Sequence, residues 1–64
     1  MPYVEIKLLG SLSREQKREL AKRVTEALSE VAGKSPESVY IVFQEVERED
    51  WAVGGILFAD KQTM

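Results

Sequence analysis

Proline at position 2 is the residue of this chain with the clearest capacity for chemistry. It follows Met1 directly, at the head of the stretch MPYVEIKLL. If Met1 is removed, the ring nitrogen of Pro2 becomes a free secondary amine, which can take up and return a proton. If Met1 stays, that nitrogen is a tertiary amide and does no acid–base work. Methionine before proline is normally a good aminopeptidase substrate, so we expect a mature chain that begins at Pro2.

The other polar residues are weaker candidates for chemistry. The chain has no Cys and no His, which excludes disulfides and Ser-His or Cys-His nucleophile systems and disfavours a zinc site, while a Ser-Lys system stays open. The pair Gly54–Gly55 lacks the spacing of a phosphate-binding loop. Four carboxylates crowd between Glu45 and Asp50 without a calcium-loop pattern, so we expect them to be solvated. We therefore predict no metal and no cofactor.

Length and composition predict a single domain over residues 1–64 that associates with further copies. A chain of 64 residues buries only about 60% of its unfolded surface when it folds alone. Yet 44% of its residues are hydrophobic, more than one helix on a few strands can hide. Without disulfides or metals, oligomerisation is the remaining way to stabilise so small a fold.

The net charge and the hydropathy of the chain limit the binding partners and the cellular location that we expect. The net charge of −2 gives no electrostatic footprint for nucleic acid, and acidic residues interleave with the basic residues of the predicted helix. There is no signal-peptide pattern and no apolar run long enough to span a membrane. We expect a cytoplasmic protein that contacts neither nucleic acid nor membrane.

The first half of the chain predicts a strand followed by a helix. Apolar and polar residues alternate over Tyr3–Leu9, as in a strand with at least one buried face. The segment GSLS breaks this alternation, and Ser13 with Gln16 fits a capping box at the start of a helix. The apolar stripe of that helix comprises Leu20, Val24, Ala27, Leu28 and Val31.

The second half predicts another strand and a short hairpin. Gly33 and Pro36 end the helix, and a β-branched and aromatic run follows over residues 39–46. The near-continuous hydrophobicity of this run is typical of a parallel strand covered on both faces, so the two strands and the helix form a β-α-β unit. The segment VGGILF predicts a short hairpin, and the tail ADKQTM is expected to fray.

The order of these segments resembles the 4-oxalocrotonate tautomerase family, the small-subunit branch of the tautomerase superfamily. The matching stretches are MPYVEIKLL, LSREQKREL, VTEAL, SVYIVFQEV and DWAVGG, and they cover about residues 2–58 without an evident insertion. The resemblance implies an α/β fold with a β-α-β tautomerase-type subunit. It also implies assembly into a hexamer, a trimer of dimers, which would bury the surplus apolar surface.

The resemblance implies an isomerase in which Pro2, after loss of Met1, is the general base of a keto–enol tautomerisation. Its substrate would be a 2-hydroxydienoate or a phenylpyruvate-like enol. The family's pocket usually holds two arginines that bind carboxylates, and Leu12 and Tyr40 occupy those positions here. Trp51 replaces the family's pocket phenylalanine.

Two interpretations of the missing arginines stay open. In the first, the chain is an active tautomerase for a less charged substrate. Tyr40 then donates the hydrogen bond to the carbonyl, and Leu9, Leu12, Trp51 and Val53 form an apolar wall. In the second, the chain is a weakly active or structural subunit of a mixed hexamer with an arginine-bearing homologue.

Overall fold

A computed structural model describes residues 1–61 as a β-α-β unit followed by a β-hairpin. Its elements are β1 (Tyr3–Leu9), α1 (Arg14–Ala32), β2 (Tyr40–Val46), β3 (Ala52–Val53) and β4 (Ile56–Leu57), with short 3₁₀ turns at Pro36–Ser38, Arg48–Asp50 and Phe58–Asp60. The predicted fold class, including the C-terminal hairpin, is confirmed. Strand β2 begins one residue later than predicted because Val39 completes the preceding 3₁₀ turn, its amide donating to the Pro36 carbonyl at 3.2 Å.

Strands β1 and β2 are parallel and in register from Tyr3 opposite Tyr40 to Leu9 opposite Val46. One further backbone hydrogen bond extends the ladder at each end. The Tyr40 amide donates to the Pro2 carbonyl at 2.9 Å, and the Gly10 amide donates to the Val46 carbonyl at 3.2 Å. Parallel neighbours require a crossover, and α1 provides it, as predicted.

The predicted helix ends are confirmed. The Ser13 hydroxyl accepts from the Gln16 amide at 3.1 Å, and the Gln16 side chain accepts from the Ser13 amide at 2.9 Å, which completes the capping box. At the other end Gly33 adopts a left-handed conformation with φ of 68°, and its amide donates to the Ser29 carbonyl at 3.1 Å. A residue with a side chain would be strained in this conformation.

Part of the predicted helix stripe is wrong. Leu20, Val24 and Leu28 are half-buried, but Ala27 is exposed and Val31 is 88% exposed. The half-buried residues of α1 form two adjacent rows, so the covered face is rotated away from Ala27 and Val31: Leu20, Val24 and Leu28 form one row, and Lys17, Ala21, Thr25 and Ser29 form the other.

The sheet of one chain has a covered face and an open face. Val4, Ile6 and Leu8 are half-buried, as are their β2 neighbours Ile41 and Phe43. On the opposite face, called the open face below, Tyr3, Glu5, Lys7, Tyr40, Val42 and Gln44 are exposed. The exposed fractions of Tyr3, Tyr40 and Val42 are 59%, 56% and 44%. The hydrophobicity of β2 predicted that both of its faces are buried. Burial of the open face therefore requires a partner beyond the single chain.

Packing within one chain leaves no described side chain fully buried. A compact protein of 7.3 kDa exposes about 4,200 Å², whereas this chain exposes 5097 Å². Its radius of gyration is 15.2 Å, against about 11 Å expected for a compact domain of this length. The single chain is thus more open than a self-sufficient domain.

The segment after β4 is more ordered than predicted. Phe58–Asp60 forms a 3₁₀ turn, closed by the Lys61 amide donating to the Phe58 carbonyl at 3.2 Å. The Lys61 ammonium also lies 5.3 Å from the centre of the Phe58 ring, within range of a cation–π interaction. The expectation of fraying is therefore wrong for residues 59–61, and residues 62–64 lie outside the described part of the chain.

Covering the open face by association predicts a particle several times heavier than 7.3 kDa. Val42→Lys places a charge in the middle of that face, where its burial between chains is costly. We expect this variant to sediment as a much smaller species than the unmodified protein. Val31→Lys, in the last turn of α1, adds the same charge outside the sheet and serves as the control. A monomeric unmodified protein, or equal dissociation of both variants, would contradict the role of the open face.

Candidate active site

The amino-terminal end of the sheet holds Pro2 and Tyr40. Pro2 is half-buried, and its carbonyl is held by the Tyr40 amide at 2.9 Å. Side chains alternate along a strand, so the Tyr40 phenol lies beside that of Tyr3 on the open face. The two residues are therefore backbone neighbours, while the phenol of Tyr40 projects toward whatever covers the open face.

The carboxyl-terminal end of the sheet holds the predicted apolar wall. Leu9 ends β1, Leu12 lies in the loop that follows, and both are half-buried. Trp51 follows β2 by way of the Arg48–Asp50 turn and is half-buried as well, whereas Val53 in β3 is 51% exposed.

One chain does not bring the predicted base and the predicted wall together. Seven residue steps separate Pro2 from Leu9, and an extended strand rises about 3.3 Å per residue, so the two positions lie about 23 Å apart. Leu12 lies still further along the chain, beyond the end of β1. A pocket that contains both Pro2 and Leu12 therefore needs residues from more than one chain.

Two concave regions of the single chain are lined by residues other than the predicted site residues. A groove of about 480 Å³ runs along α1 and is lined by Ala21, Lys22, Thr25, Glu26, Ser29, Glu30 and Pro36. It contains none of the predicted site residues. A smaller cleft of about 240 Å³ lies at the carboxyl-terminal end of the sheet and is lined by Gly10, Ser11, Glu45, Val46, Glu47 and Arg48.

Glu45 has a specific role in this cleft, and the prediction that it is merely solvated is wrong. One carboxylate oxygen accepts the Leu12 amide at 2.9 Å and lies 3.2 Å from the Lys17 ammonium. The Leu12 amide first, and Lys17 second, hold the pKa of Glu45 below its ordinary value of 4.5. The stabilisation is thus fully present above pH 4.5 and is lost as the pH falls through the lowered pKa. Sequence reasoning missed this contact because its partner is a backbone amide 33 residues away.

The Arg48 side chain stabilises the hairpin next to Trp51 through a hydrogen bond. Its guanidinium donates to the Phe58 carbonyl at 2.6 Å in a partly buried position, and the Phe58 amide donates to the Trp51 carbonyl at 2.8 Å. The rings of Trp51 and Phe58 lie 6.3 Å apart with a 60° tilt, a favourable aromatic geometry. Arg48 thereby fixes the aromatic wall, a role that sequence reasoning also missed because it depends on a carbonyl beyond the hairpin.

Residues 1–61 contain neither a metal-binding cluster nor a membrane-spanning helix. Within that range no cluster of acidic side chains is arranged to hold a metal ion. No helix in the same range has both the length and the apolar composition needed to cross a bilayer.

Comparison with known proteins decides the family. The family model described as tautomerase enzyme matches residues 2–61. The chain belongs to the tautomerase family. It is 39% identical over 62 residues to the 2-hydroxymuconate tautomerase of Bacillus subtilis, covering 97% of this chain and 100% of that protein.

Solved structures place it in the 4-oxalocrotonate tautomerase branch of this family, as the sequence motifs indicated. A crystal structure of a 4-oxalocrotonate tautomerase homologue superposes with a TM-score of 0.87 at 38% identity, over 95% of this chain and 100% of that chain. A heterohexameric 4-oxalocrotonate tautomerase from Chloroflexus aurantiacus superposes with a TM-score of 0.82 at 34% identity, over 97% and 100% of the two chains. This tautomerase is therefore an isomerase that interconverts keto and enol forms.

Removal of the hydrogen bond from Arg48 to the Phe58 carbonyl should reduce the order of the hairpin next to Trp51. Arg48→Ala should lower the free energy of unfolding by about 1.5–3 kcal/mol, since a charged donor leaves a carbonyl without its partner. Trp51 is the only tryptophan, so its fluorescence should shift toward that of a solvated indole. Arg18→Ala, on the exposed side of α1, is the control. If the Arg48→Ala protein keeps the same fluorescence and the same midpoint of urea unfolding, the hydrogen bond does not order the hairpin.

Proposed function

We propose that this tautomerase uses Pro2, freed by removal of Met1, as the general base on enols of keto acids. The observation that carries the proposal is the place of Pro2, half-buried at the head of β1 and anchored through its carbonyl by Tyr40. The Met1 side chain is 84% exposed, so its removal disturbs little packing in the chain. The freed nitrogen would stay at the end of a rigid strand.

A base that works near neutral pH must be uncharged there. An ordinary α-amine has a pKa of about 7.7–8.0, and a prolyl secondary amine starts higher. Apolar surroundings disfavour the charged ammonium and lower this pKa. Leu9, Leu12, Trp51 and Val53 can supply such surroundings, provided that they come from a neighbouring chain.

Assembly into a hexamer, built as a trimer of dimers, supplies that neighbour. The open face and the unusually large exposed area support association of this chain. The matching heterohexameric relative supports six chains as the number. In such an assembly the Pro2 end of one chain meets the Leu12 and Trp51 end of another, and each pocket is shared.

The reaction moves one proton within the substrate. The neutral Pro2 nitrogen takes the proton of the enol hydroxyl, the oxygen becomes a carbonyl, and the electron pair of the enol double bond shifts to carbon. The same nitrogen then returns the proton to that carbon, so the base is regenerated. The Tyr40 hydroxyl stabilises the charge that develops on the oxygen by donating a hydrogen bond.

The side chains at positions 12 and 40 support a substrate with few carboxylates. A guanidinium gives a carboxylate a bidentate, charge-assisted hydrogen bond worth about 1.5–3 kcal/mol. Leu12 offers no donor, and Tyr40 offers one neutral hydroxyl. A monocarboxylate with an aromatic or extended apolar end, such as a phenylpyruvate-like enol, suits this pocket better than 2-hydroxymuconate.

A second candidate is a subunit of a mixed hexamer. Its support is the absence of both arginines here, together with the heterohexameric relative. A partner homologue would then carry arginines at the positions that correspond to Leu12 and Tyr40. Strong tautomerase activity of the purified chain on its own would decide against this candidate.

Pro2→Ala tests the base directly. The substitution replaces a secondary ring amine by a primary amine with different basicity and direction. Because a positioned base contributes about 10²–10⁴-fold, ketonisation of phenylenolpyruvate should slow by at least about a hundredfold. Intact mass must show that Met1 is absent from both proteins, and sedimentation must show the same oligomer. Unchanged turnover in a mature Pro2→Ala protein would remove Pro2 from the mechanism.

Tyr40→Phe tests the hydroxyl at the carbonyl. Loss of one neutral hydrogen bond should weaken transition-state binding by about 0.5–1.5 kcal/mol, seen as a lower kcat/KM for phenylenolpyruvate. Tyr3→Phe removes the same hydroxyl from the adjacent position of the open face and should change kcat/KM little. Equal effects of the two substitutions, or none, would assign Tyr40 to packing.

A further inference from the structure

We infer that Glu45 is the positioning residue that holds Leu12 in place for the reaction. This inference rests on the proposed function, in which Leu12 lines the substrate pocket of another chain. Glu45 itself lies outside that pocket wall and acts through the backbone of Leu12.

The geometry places one oxygen of Glu45 between two other segments. That oxygen accepts the Leu12 amide at 2.9 Å and faces the Lys17 ammonium at 3.2 Å. Glu45 belongs to the end of β2, Leu12 to the loop after β1, and Lys17 to the beginning of α1. A single carboxylate thereby joins the sheet, the loop and the helix.

Two other backbone amides of this loop are also hydrogen-bonded. The Gly10 amide donates to the Val46 carbonyl at 3.2 Å, and the Ser13 amide donates to the Gln16 side chain at 2.9 Å. The hydrogen bond from Leu12 to Glu45 is thus the middle one of three fixed amides between β1 and α1. Without it, the backbone that carries the Leu12 side chain has no described anchor between its two ends.

The hydrogen bond to Leu12 matters more than the ion pair with Lys17. Both the Lys17 and the Glu45 side chains are about one-third exposed, at 35% and 34%, and partly exposed ion pairs contribute little. The Glu45 carboxylate also accepts a hydrogen bond directly from the backbone amide of Leu12, the residue that lines the proposed pocket. Removing the acceptor should therefore displace Leu12, whereas removing only the charge should not.

Three substitutions separate these contributions. Glu45→Ala removes the acceptor, and small displacements of positioned groups are costly, so kcat/KM for phenylenolpyruvate should fall roughly tenfold or more, mainly through KM. Glu45→Gln keeps a carbonyl oxygen for the Leu12 amide and should retain most of the activity. Lys17→Met removes the ammonium alone and should behave like Glu45→Gln. Equal loss in Glu45→Ala and Glu45→Gln would overturn the inference.

A double-mutant cycle tests whether Glu45 acts through Leu12. In a Leu12→Ala background the side chain to be positioned is already gone, so Glu45→Ala should cost much less than in the unmodified protein. An undiminished effect in that background would show that Glu45 supports the fold generally or acts through another residue.

Hydrogen exchange separates failure of this inference from failure of the proposed function. The Leu12 amide should exchange slowly in the unmodified protein and in Glu45→Gln, and faster in Glu45→Ala, whatever the enzyme turns over. Unaltered protection in Glu45→Ala would overturn the positioning role even if Pro2 proves to be the base. Faster exchange together with a fully active Pro2→Ala protein would instead retain the contact and refute the proposed function.

Discussion

The open face of the two-stranded sheet is the constraint on which the rest of this structure depends. One helix covers one face, and no described side chain of the single chain is fully buried. Conformational entropy opposes folding at every residue, so a chain with so little buried apolar surface needs a partner to be stable. The proposed pocket needs the same association to bring Pro2 near Leu12, because the two residues lie beyond opposite ends of β1. In the proposed function, stability and activity therefore both depend on association.

Local signals in the sequence predicted the backbone well. The capping box of Ser13 and Gln16, the left-handed Gly33 and the paired glycines of the hairpin each act over a few residues, so their meaning does not depend on the rest of the fold. The predicted helix stripe wrongly included Val31 and missed the half-buried row from Lys17 to Ser29, since the periodicity of apolar residues does not show which polar residues share the covered face.

The candidate site was harder to predict, for two physical reasons. Glu45 and Arg48 act on the backbone at Leu12 and Phe58, and a contact with a backbone group leaves no pattern in side-chain types. Pro2 and Tyr40 could be singled out, but the sequence prediction did not recognise that the length of β1 separates Pro2 from Leu9 by about 23 Å. Resemblance to the family supplied the residues of the site, whereas the structure supplied the need for a second chain.

In the proposed pocket, Leu12 and Tyr40 at the family's two arginine positions change which substrates can bind more than which reaction can be catalysed. The base, its anchor at the head of β1 and the aromatic wall at Trp51 do not depend on a guanidinium. Loss of positive charge also helps to keep the substrate end of the pocket apolar, although it removes the strongest attraction for a second carboxylate. We therefore propose that Leu12 and Tyr40 alter the choice of substrate.

Subunit mixing tests the shared pocket most directly. A Pro2→Ala chain lacks the base, and a Leu12→Glu chain repels an anionic substrate from the wall, so each should be nearly inactive alone. If the chains are unfolded together and refolded, some pockets combine an intact Pro2 with an intact Leu12. The account predicts that ketonisation of phenylenolpyruvate then returns well above the sum of the two separate proteins. Mixed oligomers with no gain over that sum would contradict a site built from two chains.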